Sequence, residues 1–362
     1  MTRNSSRTRW TLALLLVFGL VAAACGSSSD KKGGGGDTST TDKTLASATL
    51  SGSGSTFQQA YDETVIEAFK SVQPAVTITY AGGGSGKGQT DLQANLVQWA
   101  GSDAIPAVAD ASKYTKGTVL NFPTVGSPIT ISYNLSGVDK LNLSADTIAG
   151  IFSGKIKTWD DAAIKADNPS ADLPSTTITV AHRSDGSGTT ANFTKYLTLA
   201  ATPTAWTLGT DKIVAWPSGQ QAGNGNAGVA QIVQGTNGAV GYVDFSDAKA
   251  AGLKYASIKN KTGKYVAASV GGATAAMSTA TVNADLSFDP LNATGATAYP
   301  ITSPTYILVY KTQSDANVGA AVKGFLDYIY SDGQALAAQV DFAKLPANIL
   351  SQAKAQVDTI TS

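Results

Sequence analysis

Short runs of β-branched and aromatic residues alternate with segments of helical spacing from about Thr49 onward. The pattern predicts strands at 76–80, 129–133, 178–180, 239–243 and 306–310. It predicts helices at 58–71, 92–99, 190–199, 318–330 and 333–340. Strands that alternate with helices along a chain are typical of an α/β fold. We therefore expect an α/β protein, and 362 residues suffice for two domains.

The first 24 residues have a different pattern. Arg3, Arg7 and Arg9 precede an apolar run at 10–21, and three alanines follow at 22–24. A basic leader, a short apolar run and small residues are the features of an export signal peptide, and the run is too short for a permanent membrane span. We predict a signal peptide at 1–24.

Cys25 follows directly and is the only cysteine in the chain. A single cysteine in an exported protein cannot form an internal disulfide. A free thiol is one alternative, but the position favours a lipoprotein cysteine that becomes the mature N-terminus. Residues 25–45 are rich in Gly, Ser and Thr and read as a flexible linker. We predict a protein anchored by lipid to the outer face of the cell membrane.

Three Gly- and Ser-rich loops, at 51–57, 81–86 and 183–189, each lead from a strand into a helix. Glycine lets a backbone approach a ligand closely, hydroxyls donate, and a helix start offers free N–H groups and a partial positive charge. One such loop is usually only a turn or a helix cap. Three in one chain predict a bound oxyanion.

The same loops do not match enzyme motifs. Lys87 is followed by Gly88, where a P-loop has Ser or Thr, and Phe57 stands where a dinucleotide-binding loop has its third glycine. A hydrolase nucleophile needs Gly two residues on either side, but Ser85 has Lys87 after it and Ser187 lies between Asp185 and Thr189. We therefore expect no catalysis and no cofactor.

Composition narrows the function further. His182 is the only histidine, and we interpret it as a structural, hydrogen-bonded residue rather than a base. One His and one lipidated Cys leave no transition-metal cluster. Only 14% of residues are charged and the formal net charge is zero, so no basic surface for nucleic acid is expected.

The chain resembles the PstS family, the phosphate-binding components of ABC transporters. The segments that carry the resemblance, in the family's order, are 55–57, 80–88, 101–104 and 183–190. Supporting matches lie at 151–160, 223–230 and 241–243. The resemblance extends over about residues 50–345.

The resemblance implies a two-lobed, periplasmic-binding-protein-like fold of type II, with lobes joined by two crossover strands. Lobe 1 is expected at 46–124 plus 302–362, and lobe 2 at 125–301. The crossovers are expected within 128–132 and 303–308.

By position, the resemblance implies a phosphate site formed by Thr56, Phe57, Ser85, Asp103, Arg183, Ser187, Gly188 and Thr189. Thr56 is expected to offer its hydroxyl and Phe57 its N–H. Ser85 is expected to cap the second helix and to donate. Arg183 suits an oxyanion because its guanidinium forks, and Asp185 is expected to hold it in place. The last three residues supply hydroxyl and N–H donors.

Asp103 has a distinct expected role. An ionised carboxylate only accepts hydrogen bonds, so it opposes a fully deprotonated oxyanion. Phosphate still carries a proton near neutral pH and can donate it, whereas sulfate cannot. Asp103 is therefore predicted to select phosphate over sulfate.

The implied function is capture of inorganic phosphate between two lobes by a monomer, which delivers it to permease subunits coupled to a cytoplasmic ATPase. The alternative is a surface phosphate sensor, an adhesin or a phosphatase-like hydrolase with the same fold. No base, metal set or nucleophile in the sequence supports hydrolysis.

Overall fold

The protein is described by a computed structural model over residues 44–362. The predicted signal peptide at 1–24, Cys25 and most of the predicted linker at 25–45 lie outside the described residues. Within the described range, no helix has both the length and the apolar character needed to cross a membrane.

Strands and helices alternate along the described chain. The strands are β1 Ala48–Gly54, β2 Val76–Gly82, β3 Trp99–Ser102, β4 Val119–Asn134, β5 Asn142–Leu143, β6 Thr179–Arg183, β7 Gln221–Gly223, β8 Ala239–Asp244, β9 Lys254–Tyr255, β10 Ser257–Lys259, β11 Tyr265–Val266 and β12 Thr302–Tyr310. The α-helices are α1 Gln59–Val72, α2 Ser85–Gln93, α3 Ala145–Phe152, α4 Ala162–Asp167, α5 Gly188–Ala200, α6 Gly225–Gly235, α7 Phe245–Ala250, α8 Val270–Met277, α9 Ala316–Tyr328, α10 Gln334–Leu336 and α11 Ala347–Val357. Short 3₁₀ segments lie at Val108–Lys113 and Ala337–Val340, and one π-helical turn at Ile329–Gly333.

A mixed sheet organises the described chain, with strand order β2-β1-β3-β12-β4-β8-β6-β7 and β9 beside β4. β1 is parallel to β2 and β3, and β6 is parallel to β7 and β8. β12 is antiparallel to both β3 and β4. A small second sheet has the order β11-β10-β5. The predicted α/β class is confirmed.

Two long strands connect the halves of the large sheet. β4 pairs with β12 as far as Pro128 and with β8 from Ile129 onward. All nine residues of β12 are buried, which explains its almost continuous run of β-branched and aromatic residues. The predicted crossover segments lie within these strands. The predicted lobe boundaries at 124/125 and 301/302 stay a prediction.

One predicted element is wrong. The helix expected at 92–99 is replaced by α2, which ends at Gln93, and by β3, which begins at Trp99. Asn95 has a φ of 61°, a left-handed conformation that no α-helix continues through. The helix was misplaced because α2 consists mainly of Gly, Gln, Thr and other polar residues, while the spacing of Leu92 and Leu96 imitates a helical face.

Candidate anion-binding site

The loop between β1 and α1 is fixed by its neighbours. Ser55 N–H donates to the Gly101 carbonyl at 2.9 Å, and the Tyr80 hydroxyl donates to the Ser55 carbonyl at 2.7 Å. The Tyr80 ring stacks on Trp99 with centroids 4.8 Å apart. Gly52 must be glycine, because a β-carbon there would lie 2.1 Å from the Trp99 ring. Packed aromatic rings therefore hold this loop in place.

Asp103 lies just after β3 and is 3% exposed. Its Oδ1 accepts from Ser55 Oγ at 2.6 Å and from Thr305 Oγ1 at 2.8 Å. Burial raises the pKa of Asp103 to about 6, although these hydrogen bonds and the charge of Arg183 favour the ionised form. Thr305 was not predicted as a site residue. It lies on β12 and also contacts the side-chain oxygen of Gln58.

Ser85 occupies a different place from the one expected. It is the first residue of α2, whose cap is Gly84, and no side chain caps this helix. The Ser85 Oγ instead accepts from the Asp103 N–H at 3.1 Å and lies 3.4 Å from Asp103 Oδ2. The prediction that Ser85 caps the second helix is thus wrong, because its hydroxyl is held by Asp103 rather than by the N–H groups of its own helix.

Arg183 ends β6 with its side chain only 1% exposed. Its Nε donates to Asp185 Oδ1 at 2.8 Å and its Nη2 to Oδ2 at 2.5 Å, a two-pronged ion pair. Nη1 lies 3.4 Å from Thr189 Oγ1. Asp185 also accepts from the Gly225 N–H at 3.0 Å. Burial would raise the pKa of Asp185, but the hydrogen bonds and charge of Arg183 hold it below its ordinary value.

The start of α5 faces this ion pair. Ser187 caps the helix, since its Oγ accepts from the Thr190 N–H at 3.0 Å. Ser187 and Thr189 are fully buried. A β-carbon on Gly188 would lie 2.4 Å from Ser85 Oγ and 2.7 Å from Asp103 Oδ2. Only glycine permits α5 to approach α2 and β3 this closely.

Asn226 is a site residue that sequence reasoning missed. It is fully buried in the first turn of α6, and its backbone and side-chain nitrogens donate to Thr56 Oγ1 at 3.2 and 3.1 Å. Its side chain also reaches Thr189 Oγ1 at 3.4 Å. Asn226 thus links two predicted site residues from opposite predicted lobes. In the sequence, the segment 223–230 only supports the family resemblance.

Phe57 is buried in the loop between β1 and α1. Its N–H, the predicted ligand donor, is 3.0 Å from Ser55 Oγ, and its ring packs edge-on against Phe342 at 5.7 Å.

His182 stacks on Trp216 at 5.2 Å and its Nδ1 contacts the Arg183 carbonyl, as expected of a structural histidine. The histidine therefore has no place among the candidate binding groups.

Further contacts join the two predicted lobes around the site. They are Gly86 N–H to the Gly186 carbonyl at 2.7 Å, Asn192 Nδ2 to the Asp103 carbonyl at 2.7 Å, and Lys212 Nζ to Gln89 Oε1. The predicted site residues therefore come together in one enclosed place. It offers a guanidinium and several hydroxyl and N–H donors, with two carboxylates, Asp103 and the Asp185 that pairs with Arg183. Within residues 44–362 no group of His, Cys, Asp and Glu could hold a metal ion.

Comparison with known proteins gives the family. Residues 38–333 match the family model of the PBP superfamily domain. The phosphate-binding protein PstS of Pasteurella multocida is 33% identical over 325 residues, which cover 89% of this chain and 93% of that protein. The chain belongs to the PstS family. PstS of Xylella fastidiosa is 36% identical and covers 77% of this chain, with 76% of that protein aligned.

A solved structure supports the fold of this PstS family member. A high-affinity periplasmic phosphate-binding protein with bound phosphate superposes with a TM-score of 0.71 at 24% identity, covering 85% of this chain and 93% of that one. The family resemblance and the two-lobed fold of type II expected from the sequence are confirmed.

Proposed function

We propose that this protein captures inorganic phosphate between its two lobes and delivers it to the permease of an ABC transporter. The observation that carries the proposal is that Arg183 and Asp103 lie in one buried site. The guanidinium and surrounding donors suit oxyanion oxygens, and Asp103 suits the proton that phosphate retains. The names of the PstS relatives support the same ligand.

The proposed ligand shell is Thr56, Phe57, Ser85, Asp103, Arg183, Ser187, Gly188 and Thr189, with Asp185 orienting Arg183. Asn226 joins this proposal as the residue that aligns Thr56 with Thr189. We propose that binding occurs without turnover.

Equilibrium titration tests the proposal. Phosphate-stripped protein should bind phosphate stoichiometrically and arsenate, which has the same shape and proton, more weakly or equally. Sulfate should bind much more weakly, since a site built around one hydrogen bond rejects an analogue without it by about 10⁴-fold. Equal affinity for sulfate and phosphate would contradict the proposed ligand. Release of phosphate from an added monoester would instead support the hydrolase alternative.

We further propose that Cys25 is lipidated and that residues 1–24 are removed on export. The support is the sequence pattern alone. Cys25→Ser should leave phosphate affinity unchanged and release the protein from membranes, because stable attachment needs covalent lipid. If the variant still fractionates wholly with membranes, the anchor is not at Cys25.

A further inference from the structure

A buried amide side chain is joined to Asp103 through one hydroxyl. Gln58 follows Phe57 directly, precedes α1 and is fully buried. Its Nε2 donates to Asp62 Oδ2 at 2.8 Å, and its Oε1 contacts Thr305 Oγ1. Thr305 Oγ1 is in turn 2.8 Å from Asp103 Oδ1. We call the side chains of Asp62, Gln58, Thr305 and Asp103 the Asp103 network, which joins two buried carboxyls.

Packing fixes the two middle members of this network. A β-carbon on Gly101 would lie 3.0 Å from Gln58 Nε2, so β3 covers the amide closely. Thr305 is fully buried and lies where the pairing of β12 with β4 shifts register, an irregularity that re-aims side chains. Its carbonyl accepts from Thr124 Oγ1 at 3.3 Å. The Thr305 hydroxyl is therefore shielded from bulk solvent, and its acceptor is an oxygen of Gln58 or of Asp103.

The Thr305 hydroxyl has one hydrogen for these two acceptors. A threonine hydroxyl donates once, although it can accept twice. Gln58 presents its oxygen to Thr305 because its nitrogen donates to Asp62. The other acceptor, Asp103 Oδ1, also accepts from Ser55 Oγ at 2.6 Å. Gln58 therefore competes with Asp103 for the Thr305 hydrogen.

The charge of Asp103 decides this competition. An ionised carboxylate is a stronger acceptor than an amide oxygen, so Thr305 donates to Asp103 while Asp103 is ionised. A proton on Oδ2, the oxygen that lies 3.4 Å from Ser85 Oγ, makes Oδ1 a weaker acceptor, and the Thr305 hydroxyl then turns to Gln58. The Gln58 oxygen gains this donor only when Asp103 is neutral. Because an unmet buried acceptor is costly, Gln58 favours the neutral form of Asp103.

Titratable groups on neighbouring elements act on the same equilibrium. The positive charge of Arg183 at the end of β6 favours the ionised form of Asp103. Asp62 on α1, Tyr80 on β2 and Asp244 at the end of β8 also face it, since burial raises the pKa of each and the charge of Asp103 adds to the rise. Asp62 is also joined to Asp103 through the network, so its charge needs a variant of its own.

We propose that Gln58 and Thr305 are positioning residues that set the acceptor strength of Asp103, and with it the discrimination between oxyanions that carry a proton and those that do not. An ionised Asp103 that holds the Thr305 hydrogen accepts the proton of hydrogen phosphate. A neutral Asp103, with the Thr305 hydrogen on Gln58, donates to an oxyanion that lacks a proton. The ligand rests on the proposed function. The hydrogen-bond network does not, because all its members belong to predicted lobe 1.

Carbon-13 NMR of phosphate-stripped protein, labelled at the aspartate γ-carbons and titrated from alkaline to acidic pH, tests the network directly. The Asp103 signal is the one missing from Asp103→Asn. Thr305→Val should raise its titration midpoint by about one pH unit, because the ionised form loses a donor, and Thr305→Ser should restore it. Gln58→Met should lower the midpoint by about half a unit, because the Thr305 hydrogen then stays with Asp103.

Two further variants separate this hydrogen bond from other effects. Asp62→Asn removes a charge but keeps a partner for Gln58, so its shift should be smaller than that of Gln58→Met. Gln59→Met alters the neighbouring amide, which donates to Glu63 outside the network, and should leave the midpoint in place. Gln58→Leu replaces the methionine variant if that one does not fold. Shifts of the same sign in Thr305→Val and Gln58→Met, or an equal shift in Asp62→Asn, overturn the proposal.

Competition titrations of sulfate against phosphate in the same variants measure the effect on selectivity. At a pH above all the midpoints, Thr305→Val should bind sulfate about tenfold more tightly than wild type and Gln58→Met about threefold more weakly, as the NMR shifts require. Shifted midpoints with an unshifted sulfate profile would overturn the link to selectivity. A wild-type protein that binds no phosphate would contradict the proposed function alone, since the NMR titration needs no ligand.

Discussion

Two charged groups dominate the site at the scale of single residues. Arg183 and Asp103 are both buried, and each is held by neighbours that leave little freedom of orientation. Asp185 fixes the plane of the guanidinium, while Ser55 and Thr305 fix the carboxylate. A ligand that enters meets groups already aimed, so little binding energy is lost to ordering them.

Removing the guanidinium should therefore be costly. Arg183→Ala should weaken phosphate binding by about 2–5 kcal/mol, because the variant leaves Asp185 unpaired beside an anion. Arg183→Lys should recover only part of this loss, since an ammonium cannot make the two-pronged contact with Asp185. Calorimetry measures both, with the exposed Lys116→Ala as a control for loss of charge. Wild-type affinity in Arg183→Ala would place the anion elsewhere.

The raised pKa of Asp103 predicts a pH-dependent selectivity. Its pKa of about 6 means that the carboxylate is ionised at neutral pH and takes up a proton as the pH falls through that value. The neutral acid can donate to sulfate, which does not itself titrate in this range. Sulfate affinity should thus rise as the pH is lowered, by at most about tenfold per pH unit because one proton is involved.

Competition titrations of sulfate and phosphate at several pH values check this. Asp103→Asn should flatten the pH dependence of sulfate binding and narrow the gap between the two anions, because the amide offers an N–H₂ group at every pH. A sulfate profile that is the same in both proteins would mean that Asp103 is not the selective group.

The site residues that escaped sequence reasoning share one property. Asn226 and Thr305 act through other site residues, so neither lies in a loop whose composition predicts an anion. Asn226 directly follows Gly225, and an Asn next to Gly usually marks a turn. Thr305 shares β12 with the hydroxyls of Thr302 and Ser303, so its side chain does not stand out in the sequence. Only the pairing of distant segments reveals their partners.

At the scale of elements, β-propensity predicts those strands whose residues favour a strand by themselves. β2 and β8 were found because Val, Ile, Thr and Tyr alternate or cluster there. β3 was missed because Trp99–Ser102 contains Ala, Gly and Ser, which have little β-propensity. It becomes a strand because β1 and β12 pair with it on either side. The composition of these four residues does not predict this pairing with distant strands.

The start of α5 offers an element-scale test. Gly188 lies where α5 meets α2 and β3, and its φ does not require glycine, so alanine suits the helix itself. The added β-carbon would meet Ser85 Oγ at 2.4 Å. Gly188→Ala should therefore hinder the approach of the lobes and weaken phosphate binding by about 1–3 kcal/mol, the usual cost of overpacking.

The control is Gly235→Ala at the end of α6, where a β-carbon meets nothing within 4 Å. Denaturant unfolding should be nearly unchanged in both variants, because the clash at Gly188 is relieved when the lobes separate. If Gly188→Ala binds phosphate as tightly as Gly235→Ala does, α5 does not need this close approach.

At the scale of the whole molecule, the contacts around the site unite segments far apart in sequence. Asn226 reaches Thr56 and Lys212 reaches Gln89, each across the boundary between the predicted lobes. β4 and β12 are the described strands on which such lobes could turn, since β4 changes its partner between Pro128 and Ile129. Hinge closure of this kind depends on differential binding of the ligand to the closed arrangement.

Phosphate should therefore compact the protein. The contacts between the predicted lobes are a few hydrogen bonds that water can replace, each worth about 0.5–1.5 kcal/mol. Without an anion to join the donors, we therefore expect the two lobes to lie further apart on average. Small-angle scattering of protein first stripped of bound ligand should show a smaller radius of gyration when phosphate is added. Arg183→Ala at the same phosphate concentration should keep the larger radius, which separates closure from a general salt effect. Superimposable curves for stripped and saturated wild-type protein would mean that the site is rigid and preformed, and that the contacts of Asn226 and Lys212 persist without ligand.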